Sequence, residues 1–208
     1  GFFSYPPVGP GVKAPVQLNW TDAFLPTPPS PTTWNQTLLP SLDALYQRLA
    51  ATGMQEMVLY AKAHISAGIA WGYQFRLTTG FQLAVEQWGQ SWHSHTPPDE
   101  QEPLTVIGKE WAADGRDVSL ELAINNPVEA AAERYFAQAG QEISIARRII
   151  VTPPNGPGQT VVRDGAHAVA MARQVAEIIR EVRQEYPAAT IHLFAAVPIG
   201  LAVFLGMH

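Results

Sequence analysis

The 208-residue sequence contains no cysteine. Disulfides, cysteine-ligated metal sites and thiolate nucleophiles are therefore excluded. Charge is sparse: 15% of residues are charged, with 13 Lys and Arg against 18 Asp and Glu, a formal net charge of −5. A mildly acidic surface argues against wrapping long DNA or RNA, while a small anion held by local dipoles stays compatible. Long apolar runs are missing too. The longest, Ile199 to Met207, is too short to span a bilayer. The opening Gly1-Phe2-Phe3-Ser4-Tyr5 lacks the basic-then-apolar pattern of a signal peptide, and it lacks an initiator methionine. The chain is expected to be a piece of a longer or processed polypeptide. No Walker loop, GxGxxG, HExxH or nucleophile elbow occurs, and the six histidines form no evident triad or ligand set. These absences point away from an enzyme and fit a cytoplasmic binding domain.

What is present suffices for a core: 47% of residues are hydrophobic. The length suits one large domain or two small fused ones. Residues 1–34 carry clusters such as Tyr5-Pro6-Pro7 and Pro26-Thr27-Pro28-Pro29-Ser30-Pro31. Proline blocks helix interiors and sheet ladders, so this stretch is expected to be an extended arm or a linker from a neighbouring domain, with Asn19-Trp20 and Trp34 pinning it to the body.

Leu42, Leu45 and Leu49 recur at helical spacing and predict a helix from Leu38 to Ala51, ended by Gly53. Glu56 to Ala61 reads as a buried strand and Ile65 to Phe75 as a helix. Phe81 to Trp88, Leu104 to Trp111 and Val118 to Ile124 read as strands, with a polar loop from His93 to Glu102. Asn126 is placed to cap a helix, with Pro127 at its first position and Glu129 completing a capping box. That helix is expected to stop at Gly140. Ile143 to Val151 reads as a strand, and Pro153 to Gly158 as a loop. Val169, Ala172, Ala176, Ile179 and Val182 form one apolar stripe on a long helix from Arg163 to Tyr186. A strand over Ile191 to Ala195 and a helix opened by Pro198 close the chain. Alternating strands and helices indicate an α/β fold with a largely parallel sheet.

Two segments echo one another. Leu59-Tyr60-Ala61-Lys62-Ala63-His64-Ile65 leads to Trp71-Gly72, and Leu193-Phe194-Ala195-Ala196-Val197-Pro198-Ile199 leads to Leu205-Gly206. Leu59 matches Leu193, Ala61 matches Ala195, Ile65 matches Ile199 and Gly72 matches Gly206. Any buried strand–turn–helix shares some of this pattern. A duplicated half-domain explains it too, and would set two helix N-termini around one pocket. Helix N-termini offer free N–H groups and partial positive charge, which suit phosphate.

The segment Ile191 to Gly206 resembles the signature of SAVED domains, the cyclic-oligonucleotide sensors of bacterial CBASS and related CRISPR antiphage systems. Asn19-Trp20, Trp34, the helix ending near Gly53, Leu59 to Gly72, Asn125-Asn126 and the helix from Arg163 occur in the same order as in that family. The resemblance covers the chain from about residue 17. It implies two fused Rossmann-like (CARF-like) units with largely parallel sheets and flanking helices, pseudo-duplicated. The first unit is expected at about 54–150 and the second at about 151–208, within a sensor domain of 35–208. The chain stops at His208, where more sheet is expected. The resemblance further implies a cytoplasmic bacterial sensor that binds a cyclic oligonucleotide, a di- or trinucleotide first, and self-associates. It would thereby activate a fused or associated nuclease, TIR or protease effector.

Candidate ligand contacts follow. Lys62, Ala63, His64, Ile65 and Ser66 form the turn after the first echo strand, set against the alternative of a solvated lysine and an ordinary cap. Ala195, Ala196, Val197, Pro198 and Ile199 form the matching turn, able to offer backbone and shape. Asn125 and Asn126 end a strand, where simple capping is the competing role. Trp71, Phe75 and Trp92 are candidates to stack on a base, against a place in the core. Arg147 and Arg148 alternate faces, so only one can point toward any pocket; Arg147 is taken as the candidate, set against a solvated sheet face. His93-x-His95 is expected to be a polar surface loop rather than a metal site. A ring-opening nucleotide-processing enzyme that depends on His64, Ser66 or Lys62 is the first alternative to a sensor. A structural interaction module is the second.

Overall fold

A computed structural model describes residues 2–3, 16–100 and 103–208. In chain order it contains β1 (Phe2–Phe3), β2 (Leu18–Asn19), α1 (Thr21–Phe24), α2 (Pro31–Thr33), a π-helical turn (Trp34–Leu38), α3 (Leu39–Ala51), β3 (Glu56–Leu59), β4 (Ala61–Lys62), α4 (Ile65–Gln74), β5 (Gln82–Gln87), β6 (Gln90–His93), β7 (Thr105–Glu110), β8 (Asp117–Ala123), α5 (Glu129–Ala139), β9 (Ile145–Thr152), α6 (Gly165–Glu185), β10 (Ile191–Ala196) and α7 (Ile199–Met207). No described helix is long and apolar enough to cross a membrane.

The residues divide into two compact units, and the chain passes between them repeatedly. One comprises 1–99, 164–172 and 199–208; the other comprises 100–163 and 173–198. This division does not coincide with a boundary near residue 150. The reason is sheet pairing: β9 and β10 both lie parallel to β8, on either side of it.

The first unit holds two three-stranded sheets, ordered β2-β1-β4 and β3-β5-β6. β3 runs parallel to β5 and has it as its single neighbour in that sheet. The strand expected to be buried is therefore an edge strand, with Val58 52% exposed. β6 falls between the strand expected to end at Trp88 and the loop expected from His93, and takes in His93; it pairs antiparallel with β5, Val85 opposite Trp92. Among the described residues of the proline-rich arm, 31–33 are helical rather than extended, because Pro31 occupies the first turn of α2 and Ser30 accepts the Thr33 N–H at 3.1 Å, while Tyr5-Pro6-Pro7 lies outside the described residues. Trp20 is buried, its indole N–H donates to Ser41 Oγ at 3.0 Å, and its ring meets Trp34 edge-on at 5.9 Å.

The second unit is a four-stranded sheet, β10-β8-β9-β7. Strands β8, β9 and β10 are parallel, and β7 closes one edge antiparallel. Leu120, Leu122, Ile149, Ile150 and Val151 are buried, as expected of a sheet covered on its faces. α5 begins two residues later than the Asn126 reading required. Val128 occupies the cap position, Asn126 is exposed, and Glu129 Oε2 accepts the Val128 N–H at 2.9 Å. The carboxylate of the expected capping box does serve the helix start; the asparagine does not.

Candidate functional site

Strand ends and helix starts organise both units. In the first, β4 runs out at Lys62, and His64, in extended conformation, precedes α4. His64 stacks on Phe24 with centroids 4.5 Å apart and planes 13° apart. Burial lowers its pKa below the ordinary histidine value. Lys62 and Ser66 are exposed; Ala63, His64 and Ile65 are half-buried.

α4 and α7 pack against each other through glycine. A Cβ on Gly72 would lie 1.9 Å from the Val203 carbonyl oxygen, and one on Gly206 would lie 2.1 Å from that of Ile69. A Cβ on Gly68 would meet Ile199 Cδ1 at 2.6 Å and Ala202 Cβ at 3.3 Å. Gly68 thus faces the start of α7 and Gly72 faces its end. The two helices are parallel, and their N-termini lie at one end of the pair. The register is that of the echo: Gly72 abuts Gly206, and each glycine's virtual Cβ comes within 3.0 Å of the other's Cα. Side chains would hold two helix backbones apart here, so only glycine permits this approach.

At that shared end the first four N–H groups of each helix lack intrahelical acceptors. One is already taken: Gly200 donates to the buried Gln87 Oε1 at 3.0 Å. Trp92, 1% exposed, lies under the same turn, because a Cβ on Gly200 would reach its Cε3 at 2.6 Å. Trp92 is therefore a buttress, not a stacking surface. Trp71 and Phe75 are likewise core. They stack on each other at 5.1 Å, and Phe75 meets Phe81 edge-on at 5.1 Å. At 4% and 0% exposure they present no face to a base. Ser66 also opens onto a groove of about 580 Å³ along the flank of α4, shared with Ile69, Tyr73, Trp34 and Leu39.

In the second unit Asn125 follows β8, and its N–H donates to the Ala196 carbonyl at 2.7 Å. Its Oδ1 is buried and has no hydrogen-bond partner among the described residues. Ala195 and Ala196 pair with Leu122 and Ala123 at the carboxyl ends of β10 and β8, and Val197 and Pro198 are buried beyond them. Asn125 and the Ala195 turn are thus brought together. Arg147 is not with them. It pairs with Val118 near the amino end of the parallel strands and bonds Glu110 at 2.5 Å. Its charge is committed to a carboxylate at the opposite end of the sheet.

The arginine with the larger structural part is Arg148, 2% exposed. It grips Glu121 bidentately at 2.6 and 2.7 Å and reaches Glu133 of α5 at 2.7 Å. Hydrogen bonding to Glu121, above all, holds its guanidinium charged well above the usual range. Its partners, Glu121 and Glu133, are scattered along the sequence, and no local pattern announces the cluster.

Comparison with known proteins matches residues 40–208 to SAVED, the SMODS-associated and fused to various effectors sensor domain. CD-NTase-associated protein 4 of Enterobacter hormaechei subsp. hoffmannii (strain UCI 50) is 31% identical over 180 residues. That alignment covers 84% of this chain and 35% of the relative, so the chain spans about a third of that protein's length. The fold is that of the Acinetobacter baumannii Cap4 SAVED/CARF-domain containing receptor solved with the cyclic trinucleotide 3'3'3'-cAAA, at TM-score 0.77 and 15% identity, covering 92% of this chain and 42% of that one. The Moraxella osloensis Cap4 receptor gives TM-score 0.68 at 14% identity, covering 92% of this chain and 41% of that one. The α/β architecture, the match over most of the chain and the curated relative lead to one conclusion: this chain belongs to the SAVED sensor-domain family.

Proposed function

We propose that the chain senses a cyclic oligonucleotide for an antiphage defence effector, and that a phosphate of the ligand meets the paired N-termini of α4 and α7. The observation that carries this reading is the parallel, glycine-mediated packing of the two helices in the register of the echo. Each N-terminus supplies partial positive charge of about half an elementary charge, and two side by side suit a phosphate. Within the first unit the proposed contacts are Lys62 and Ser66 at the start of α4 and the first turn of α7; within the second unit, the turn from Ala195 to Pro198 with Asn125 beside it is proposed as a contact surface by itself. The Acinetobacter baumannii receptor was solved with cyclic trinucleotides, which favours a trinucleotide over a dinucleotide. Ligand-driven self-association and activation of an effector outside this chain, in the bacterial cytoplasm, complete the reading.

Calorimetry against cyclic di-, tri- and tetranucleotides, followed by chromatography of the recovered ligand, tests it. One trinucleotide bound tightly and recovered intact is the expected result. Light scattering of the same samples reads assembly. A cleaved ligand would make the chain an enzyme, and no binding by any member would sink the pocket.

A further inference from the structure

The hairpin between β5 and β6 turns on two residues, Trp88 and Gly89, with Gln87 paired to Gln90 across its neck. Their φ angles are +52° and +76°. Positive φ at both central positions is the type I′ turn, which Asn-Gly or Gly-Gly adopts readily. A bulky side chain there is strained. Trp88 is the one non-glycine residue with positive φ among the described residues. Such strain clusters at ligand clamps and functional sites. The strained turn also leaves this indole 58% exposed. The other well-exposed tryptophan, Trp111, has its ring face covered by the Arg148 guanidinium at 4.8 Å.

Trp88 stands beside the first turn of α7. Its ring meets that of Trp92 edge-on, with centroids 5.6 Å apart, and Trp92 underlies Gly200. The preceding residue, Gln87, accepts the Gly200 N–H. A single buried ring therefore separates the exposed indole from a helix N-terminus. The indole N–H of that buried ring has no acceptor among the described residues.

We infer that Trp88 is a stacking platform for a base of the bound cyclic nucleotide, a purine by preference, set next to the phosphate position at α7; this rests on the receptor reading above. In a nucleotide, base and phosphate are joined through one ribose, so an aromatic face and an anion site one side chain apart match it. A purine offers the broader ring to an indole. Stacking tolerates base identity because every base has a π-face, which fits a sensor that holds the ring by its backbone and stacks on a base.

Titration of the full chain with cyclic triadenylate, alongside thermal melts, tests the inference with W88N and W88F. Asparagine takes positive φ at little cost, so W88N is expected to melt no lower than the original chain. Its affinity is expected to fall roughly tenfold or more, the usual effect of losing one base–aromatic stack. W88F is expected to keep most of the affinity. Unchanged affinity in W88N would overturn the inference while leaving the receptor reading intact. So would a lower melting point in both variants with equal loss of affinity, which would assign Trp88 to covering Trp92. An original chain that binds no cyclic trinucleotide overturns the receptor reading, and the inference with it.

Discussion

Gly72 and Gly206 touch across two parallel helices, each occupying the space a side chain on the other would need. On helix propensity alone, glycine to alanine stabilises by about 1 kcal/mol. Here the sign should reverse. The added methyl meets a backbone oxygen, which cannot swing aside, and overpacking of this kind costs roughly 1–3 kcal/mol or more. Urea denaturation of Gly72→Ala and Gly206→Ala is expected to show lower midpoints in both. Either variant at or above the parent's stability would mean the helices do not approach as described.

Arg148 and Glu121 give a second expectation. Arg148→Met leaves the buried Glu121 without its counter-charge, holding only the Ser119 hydroxyl at 2.8 Å, and losing one partner of a buried ion pair typically costs about 3–5 kcal/mol. Arg148→Met combined with Glu121→Leu removes both charges and should recover much of that loss. With Glu121→Leu alone as the second single variant, the comparison is a double-mutant cycle in denaturant. Arg148 keeps its proton throughout the ordinary pH range, so its own titration adds no pH dependence to this stability.

His64 supplies the pH dependence. Burial lowers its pKa in the folded chain. Above the unfolded value of about 6.5 the ring is neutral in both states. As pH falls below that value the unfolded chain takes the proton first, so stability is lost until the folded ring also titrates. Melting temperature should therefore drop between pH 7 and 5 by more in the parent than in His64→Phe, which retains an aromatic partner for Phe24. Parallel pH profiles would show that His64 titrates alike in both states.

Lys62 tests the ligand rather than the fold. A charge-assisted contact is worth about 1.5–3 kcal/mol, so Lys62→Gln should weaken cyclic trinucleotide binding roughly tenfold. An exposed lysine contributes about 0–1 kcal/mol to stability, so the melting point should hardly move. Calorimetry and melts on one preparation separate the two effects.

The packing of α4 on α7 left a trace in the sequence because it demands one residue type at two matching positions. A glycine that lets two backbones touch must be glycine in both helices, and the Gly72–Gly206 match appears as plain residue identity. Arg147 and Arg148 show the opposite case. Alternation along β9 assigns them to different faces, but which face is covered depends on Glu121 in β8 and Glu133 in α5. β6 was not legible because its hairpin turns on Trp-Gly, not on the Asn-Gly that announces such a turn. β3 was expected to be buried because Met57, Val58 and Leu59 run together, yet it lies at a sheet edge, and sheet order is set by distant partners.

The chain's passage back and forth between its units has an evolutionary consequence. Residues on both sides of 99, 163, 172 and 198 belong to different units. No single cut yields either unit as one continuous piece, and α6 contributes to both. A recombination break between residues 100 and 198 would leave parts of both units on each side, whereas one within 1–99 would divide the first unit alone.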